Sequence, residues 1–199
     1  MTAAAGPGTP EVVTVSRPPI RQATIVRSDL AHTFDAFVRT IGSWWPVCPF
    51  SAGRERVRDI TIEPRPAGRV YETWDDGTVV AWGELLAWEP PARFVMSWMG
   101  TPAATEVEFT FTALGPALTR VTVEHRGWEL LTEAQLAEDC ALPGGYSAGA
   151  YSAGWTTILG ALARSLGADS APGDSAPGDS APGGADRRRR AAMKNGEQP

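Results

Sequence analysis

Cysteine and histidine are scarce in this chain, with two of each in 199 residues. Two thiols, Cys48 and Cys140, make no disulfide framework, so a reducing compartment is expected. Neither has zinc spacing around it, His32 and His125 form no metal-binding pair, and neither a Gly-rich phosphate loop nor a nucleophile elbow occurs. The expectation is therefore no metal site and no cofactor. No apolar run approaches the roughly 18 residues of a transmembrane helix. The opening MTAAAGPGTPEVV has no basic stretch leading into an apolar run, so neither a signal peptide nor a membrane span is expected. A formal charge of −5 argues against general nucleic-acid binding. These absences leave a soluble, cytoplasmic protein as the expectation.

What is present is apolar and aromatic. Hydrophobic residues make up 43% of the chain, enough for a real core, and all eight Trp fall between positions 44 and 155. Near the end of the apolar sequence, Tyr151, Trp155, Ile158, Leu159, Leu162 and Leu166 recur at offsets 0, 4, 7, 8, 11 and 15. That is one stripe of a helix with a 3.6-residue period. Gly167 follows the stripe, where a helix terminus favours a residue that tolerates positive φ. Gly149, Gly154 and Gly160 each cost roughly 1 kcal/mol against Ala inside a helix. They imply either close approach to a partner layer or space left beneath the helix.

Most of the chain before this helix has the signature of strands. Residues 20–27 form a first strand, and Ser28 or Asp29 caps a helix whose Leu30, Phe34, Phe37, Val38 and Ile41 share one face. Strands are expected at 57–63, 68–74, 78–88, 92–99, 105–113 and 118–127. They are separated by turn chemistry, of which Asp76-Gly77 is the clearest hairpin signal. Loops this short pair neighbours antiparallel. Alternation puts Phe94, Met96 and Trp98 on one face, likewise Val107, Phe109 and Phe111, and likewise Val121, Val123 and His125. In 78–88 the residues Val80, Trp82, Leu86 and Trp88 align, with Glu84 among them. Thr132-Glu133-Ala134-Gln135 matches a capping box. The pattern predicts one curved sheet laid against the last long helix.

Three units are expected along the chain: a flexible leader over 1–17, one folded domain over 18–167 and a disordered tail over 168–199. In the tail DSAPG recurs three times before Arg187–Arg190. A short arginine run of this kind is more often a solvated tail than a nucleic-acid or lipid contact.

Chemistry-bearing candidates are few. His125 sits on an apolar face, where it is either a general base or ligand contact, or a core His satisfied by a carbonyl or an acid. Glu72 and Glu84 lie in strands. One of them beside His125 would make a reactive pair, but Glu72 is equally a partner for Arg69 or Arg120 at the rim. Trp74, Trp82, Trp88 and Trp98 fall on candidate inner faces, with Trp44, Trp45, Trp128 and Trp155 flanking them. Such rings fill a core or line a ligand site. The expected ligand-binding set is Glu72, Trp74, Trp82, Trp98, His125 and Trp155.

The order strand, helix, short helix, six strands, long helix resembles the START-like (SRPBCC) superfamily with its helix-grip fold. Several stretches narrow the likeness: Gly68-Arg69-Val70-Tyr71-Glu72, Asp76-Gly77, Trp82-Gly83, Trp88-Glu89-Pro90-Pro91, Arg93-Phe94-Val95 with Trp98, and the run from Thr119 to Gly127. Together they resemble the branch named after the activator of the Hsp90 ATPase, over about residues 18–167. The resemblance implies an α+β helix-grip fold, with a curved antiparallel sheet wrapped around the C-terminal helix and a cavity between them. It does not imply one activity, since the superfamily spans lipid carriers, hormone receptors, polyketide cyclases and oxygenase domains. The Rieske cluster ligands of the oxygenase domains are missing here. The leading expectation is a binder of a small apolar or aromatic molecule, without catalysis. The rivals are a cyclase- or dehydratase-type enzyme using His125 with an acidic residue, and a protein that binds a chaperone or regulator.

Overall fold

The protein was analysed as a computed structural model that describes residues 17–139 and 149–169. The expectations for the leader before residue 17, for Cys140 and for the repeats and arginine run of the tail lie outside those residues. Strand β1 (Ile20–Val26) leads into helix α1 (Leu30–Arg39), followed by the single turns α2 (Ile41–Trp44) and α3 (Val47–Phe50). Six strands follow: β2 (Val57–Ile62), β3 (Arg69–Trp74), β4 (Val79–Glu89), β5 (Arg93–Trp98), β6 (Thr105–Gly115) and β7 (Leu118–Arg126). Helices α4 (Glu133–Asp139) and α5 (Ala150–Asp169) complete the described elements. No described helix is long and apolar enough to cross a membrane.

Local chemistry accounts for the boundaries. Asp29 caps α1, its Oδ1 accepting from the His32 amide at 2.9 Å. Thr132 and Gln135 complete a reciprocal box, with Gln135 Oε1 accepting from the Thr132 amide at 2.9 Å. Gly77 takes φ +85° in the β3–β4 hairpin, a conformation that favours glycine.

The seven strands form one antiparallel sheet in the order β1-β7-β6-β5-β4-β3-β2. Its inner face carries Phe94, Met96, Val107, Phe109, Phe111, Val121, Val123 and His125, all buried, as the alternation predicts. Strand β4 departs from that simple alternation. Register shifts leave Trp82 and Leu86 as extra residues against β3 and β5. Such bulges flip the pleat, so Leu85 turns inward while Leu86 is 55% exposed, against the expected alignment of Leu86 with Trp82. Glu84 faces solvent. Beside Trp82, Gly83 permits close approach of the backbones, because a Cβ there would fall 1.8 Å from Ser97 O.

Two helices fill the concave side. Helix α5 buries Trp155, Ile158, Leu159, Leu162 and Leu166, which is the stripe read from the sequence. Helix α1 contributes Phe34 and Phe37, whose rings meet Phe111 at 5.0 Å and Phe109 at 4.7 Å. Each fully buried side chain of this size contributes roughly 1.5–3 kcal/mol. Two edges of the domain differ from expectation. Arg17, assigned to the leader, donates to the carbonyls of Trp128 at 2.9 Å and Leu131 at 2.5 Å. Gly167, expected just past the helix, lies within α5, which continues to Asp169.

Candidate functional site

A cavity of about 500 Å³ opens between the 45–54 segment, the end of β5 and the first turns of α5. The 45–54 segment supplies Trp45, Pro49, Phe50, Ser51, Ala52 and Arg54. The sheet side supplies Trp98 and Gly100, and α5 supplies Ala150, Tyr151, Gly154, Trp155 and Ile158. Five of these are aromatic, Arg54 carries the one charge, and none is acidic. The rings pack on one another: Trp98 lies 5.5 Å from Trp155, and Trp45 lies 6.2 Å from it. Gly154 sits on this wall, and a Cβ there would stand 3.1 Å from Phe50 Cε1. The missing side chain therefore serves close packing against Phe50 and bounds the cavity at the same time.

Several wall residues bury polar atoms that have no partner. Among the described residues four buried side-chain atoms have none: the Nε1 atoms of Trp44, Trp45 and Trp98, and Ser51 Oγ. Three of the four belong to residues of the cavity wall. Leaving a buried donor unpaired costs roughly 1–3 kcal/mol, so the packing behind this wall carries a local cost.

Glu72 lies outside the cavity and acts as a strut behind it. Its side chain is fully buried, and three N–H groups converge on its carboxyl oxygens. Oε1 accepts from the Gly53 amide at 2.7 Å and from Trp74 Nε1 at 2.6 Å, and Oε2 accepts from Trp82 Nε1 at 3.0 Å. The Arg56 guanidinium covers the Trp74 ring at 3.8 Å from its centroid. The Gly53 bond fixes the loop that presents Ser51 and Arg54 to the cavity. Neither arrangement expected for Glu72 is found. It does not meet His125, and Arg69 bonds Glu63 instead, at 2.8 Å and 3.0 Å.

His125 is fully buried on β7, and burial pushes its pKa from 6.5 down to about 3. The ring is therefore neutral near pH 7. Trp155 Nε1 lies 3.2 Å from His125 Nδ1. An indole nitrogen only donates, so Nδ1 accepts and the proton resides on Nε2. Nε2 then donates to Thr105 Oγ1 at 2.7 Å. Thr105 donates to Thr101 Oγ1 at 3.1 Å, and Thr101 donates to Ala103 O at 2.6 Å. Every member of this chain is satisfied, and it ends on a backbone carbonyl. Trp128 completes the setting, its ring 4.3 Å from His125 and its Nε1 donating to His125 O at 2.8 Å.

Of the six expected binding residues, Trp98 and Trp155 line the cavity. Glu72, Trp74, Trp82 and His125 are not among its lining residues. Glu72, Trp74 and Trp82 are consumed by their mutual hydrogen bonds, and His125 by Thr105 and Trp155. The sequence reading missed Trp45, Phe50, Ser51, Arg54, Tyr151 and Ile158 as wall residues. Tyr151 and Ile158 were legible as the helix stripe. The 45–54 segment has no periodicity, so nothing local assigned its facing.

Comparison with known proteins agrees with this architecture. Residues 32–167 match the family described as Activator of Hsp90 ATPase homolog 1-like protein. Among solved structures, the self-sacrificing resistance protein CalC from Micromonospora echinospora is similar at 24% identity. The match covers 77% of this chain and 97% of that one, with a TM-score of 0.53. Protein MLL2253 from Mesorhizobium loti is similar at 18% identity, covering 75% of this chain and 97% of that one, with a TM-score of 0.53. The Aha1 dimer from Colwellia psychrerythraea is similar at 14% identity over 74% of this chain and 95% of that one, with a TM-score of 0.51. At these identities the likeness concerns the fold alone. No curated protein matches the chain. With a START-type helix-grip fold and a family match over most of the described residues, this chain belongs to the Activator of Hsp90 ATPase homolog 1-like family.

Proposed function

We propose that the protein binds a small, largely aromatic molecule in the cavity beside the first turns of α5. The observation that carries this reading is a space of about 500 Å³ walled by Trp45, Phe50, Trp98, Tyr151 and Trp155. That volume is in the range of small-molecule sites, and rings on several sides supply apolar contact area. The cyclase-type alternative finds no support in the geometry, because both ring nitrogens of His125 are already engaged and the ring lies outside the cavity. The family match supports a second reading, a protein partner. A rise in the ATPase rate of purified Hsp90 on adding this chain would favour it.

The binding reading is tested with 2-ethylnaphthalene as the probe on the full chain, followed by ¹⁵N-resolved indole N–H signals. Wild type is expected to bind, with Trp98 and Trp155 shifting and Trp128, behind His125, unmoved. Gly154→Leu fills the wall next to Phe50. Its affinity is expected to fall more than tenfold while the melting temperature changes by only a few degrees. Equal affinity in the two proteins, or no binding to wild type, overturns the reading.

A further inference from the structure

A single cation stands on the cavity wall, with no acid beside it there. Arg54 is the only charged residue lining the space, and it is exposed, so an occupant can reach its guanidinium. Among the described residues that guanidinium enters no ion pair and no side-chain hydrogen bond. Other arginines nearby in the sheet are already engaged: Arg69 bridges to Glu63, Arg93 and Arg126 to Glu108, and Arg56 lies over the Trp74 ring. Glu55, next in the chain, forms no ion pair with Arg54 either. Its carboxyl is held below the ordinary value first by its own backbone amide and then by the Cys48 thiol, with Arg54 contributing least.

The backbone fixes Arg54 in this position. The Gly53 amide is tied to Glu72 Oε1 at 2.7 Å, and a Cβ at Gly53 would fall 2.3 Å from Trp74 Nε1. The Arg54 amide then donates to Ser51 O at 3.3 Å. Between these ties Arg54 takes φ +49°, a left-handed conformation that is uncommon outside glycine and costs free energy. Glycine would adopt it freely, yet the position holds a long cation beside an aromatic cavity.

We infer that the occupant is an aromatic carboxylate whose rings lie against Trp45, Phe50, Trp98, Tyr151 and Trp155 and whose oxygens pair with the Arg54 guanidinium. This rests on the binding reading above and deepens it. A guanidinium presents paired N–H donors that match the two oxygens of a carboxylate. The aromatic wall alone strips water from an anion and returns nothing. Without Arg54 a carboxylate is therefore a worse occupant than a neutral molecule of the same shape, and with Arg54 the order reverses.

The test compares 2-naphthoate, which is ionised at pH 7, with 2-acetylnaphthalene, a neutral molecule of nearly the same shape, on the full chain. At low salt naphthoate is expected to bind about fivefold more tightly, a difference of about 1 kcal/mol. Raising sodium chloride is expected to shrink that preference, because an exposed pair is screened. Arg54→Gln and Arg54→Gly are each expected to reverse the preference. The glycine variant adopts φ +49° without strain, so the test survives if the glutamine variant misfolds. Arg65→Gln removes the same charge from a residue outside the wall and is expected to keep the preference within about twofold. Equal or weaker binding of naphthoate to wild type, an unchanged preference in the Arg54 variants, or an equal loss in Arg65→Gln overturns the inference. In each of those cases binding of 2-acetylnaphthalene leaves the binding reading standing. If neither probe binds, both fall.

Discussion

His125 shows how one residue's surroundings set its chemistry. Its pKa is about 3 in the native protein against 6.5 in an unfolded chain. The unfolded state therefore binds a proton that the native state refuses throughout that window. Stability is full above pH 6.5 and is lost as pH falls toward 3, by about 1.4 kcal/mol per pH unit inside the window. Wild type is expected to lose about 2 kcal/mol between pH 7 and pH 5 from this group. His125→Gln can still accept from Trp155 and donate to Thr105 but has no proton to gain. It is expected to be less stable at pH 7 and to lose distinctly less on acidification. Urea midpoints for both proteins at pH 7 and pH 5 check this, and parallel losses would contradict it. Glu72 is the complementary case. Its carboxyl group is held by Gly53, Trp74 and Trp82, so its role is to fix the cavity loop.

At the scale of the element, α5 carries two interior glycines in different settings. A Cβ at Gly160 would meet only Arg164 Nη1, at 3.4 Å, whereas one at Gly154 would press on Phe50 at 3.1 Å. Gly160→Ala therefore gains helix propensity without a clash and is expected to stabilise by up to about 1 kcal/mol. Gly154→Ala gains the same propensity, but the tight contact with Phe50 offsets it, so no net rise is expected. Thermal midpoints of the two variants separate the roles, and a larger gain from Gly154→Ala would show that the helix does not approach Phe50. The stripe of α5 was legible because a period near 3.6 is a local property of sequence. The facing of β4 was not. Its bulges at Trp82 and Leu86 depend on pairing with β3 and β5, which alternation within one strand cannot report.

For the whole molecule, β1 is the least obvious necessity. The family match begins at residue 32, beyond this strand. Yet β1 covers the edge of β7 from Ile20↔His125 to Val26↔Thr119, and Ile20 and Val26 are buried in the core. Gln22 Nε2 also reaches Ser152 Oγ of α5 at 2.8 Å. A chain beginning at Arg27 would expose the β7 edge and open the apolar layer beneath it. It is expected to lose cooperative thermal unfolding, as followed by circular dichroism. A transition within a few degrees of wild type would mean that β1 is dispensable. The outer face of the sheet adds little by comparison. Glu108 bonds Arg93 and Arg126 there, at 2.8 Å each, and partly exposed pairs of this kind contribute roughly 0–1 kcal/mol.

The amino-acid sequence by itself determined the elements and their apolar faces: the α5 stripe, the alternation of β5, β6 and β7, a helix cap at Ser28 or Asp29, the Gly77 turn and the Thr132–Gln135 box. Each depends on neighbours within a few residues, where period and turn chemistry act directly. Only the tertiary structure decided which polar groups meet. Gly53 reaches Glu72 across 19 residues, Thr105 reaches His125 across 20, and Trp155 reaches His125 across 30. Those pairings consumed Glu72 and His125 as structural groups and left Trp45, Ser51 and Trp98 unpaired around a cavity. The physical reason is that hydrogen-bond satisfaction is a property of the packed whole. A side chain's type states what it can donate or accept, and the fold alone states whether a partner is within reach.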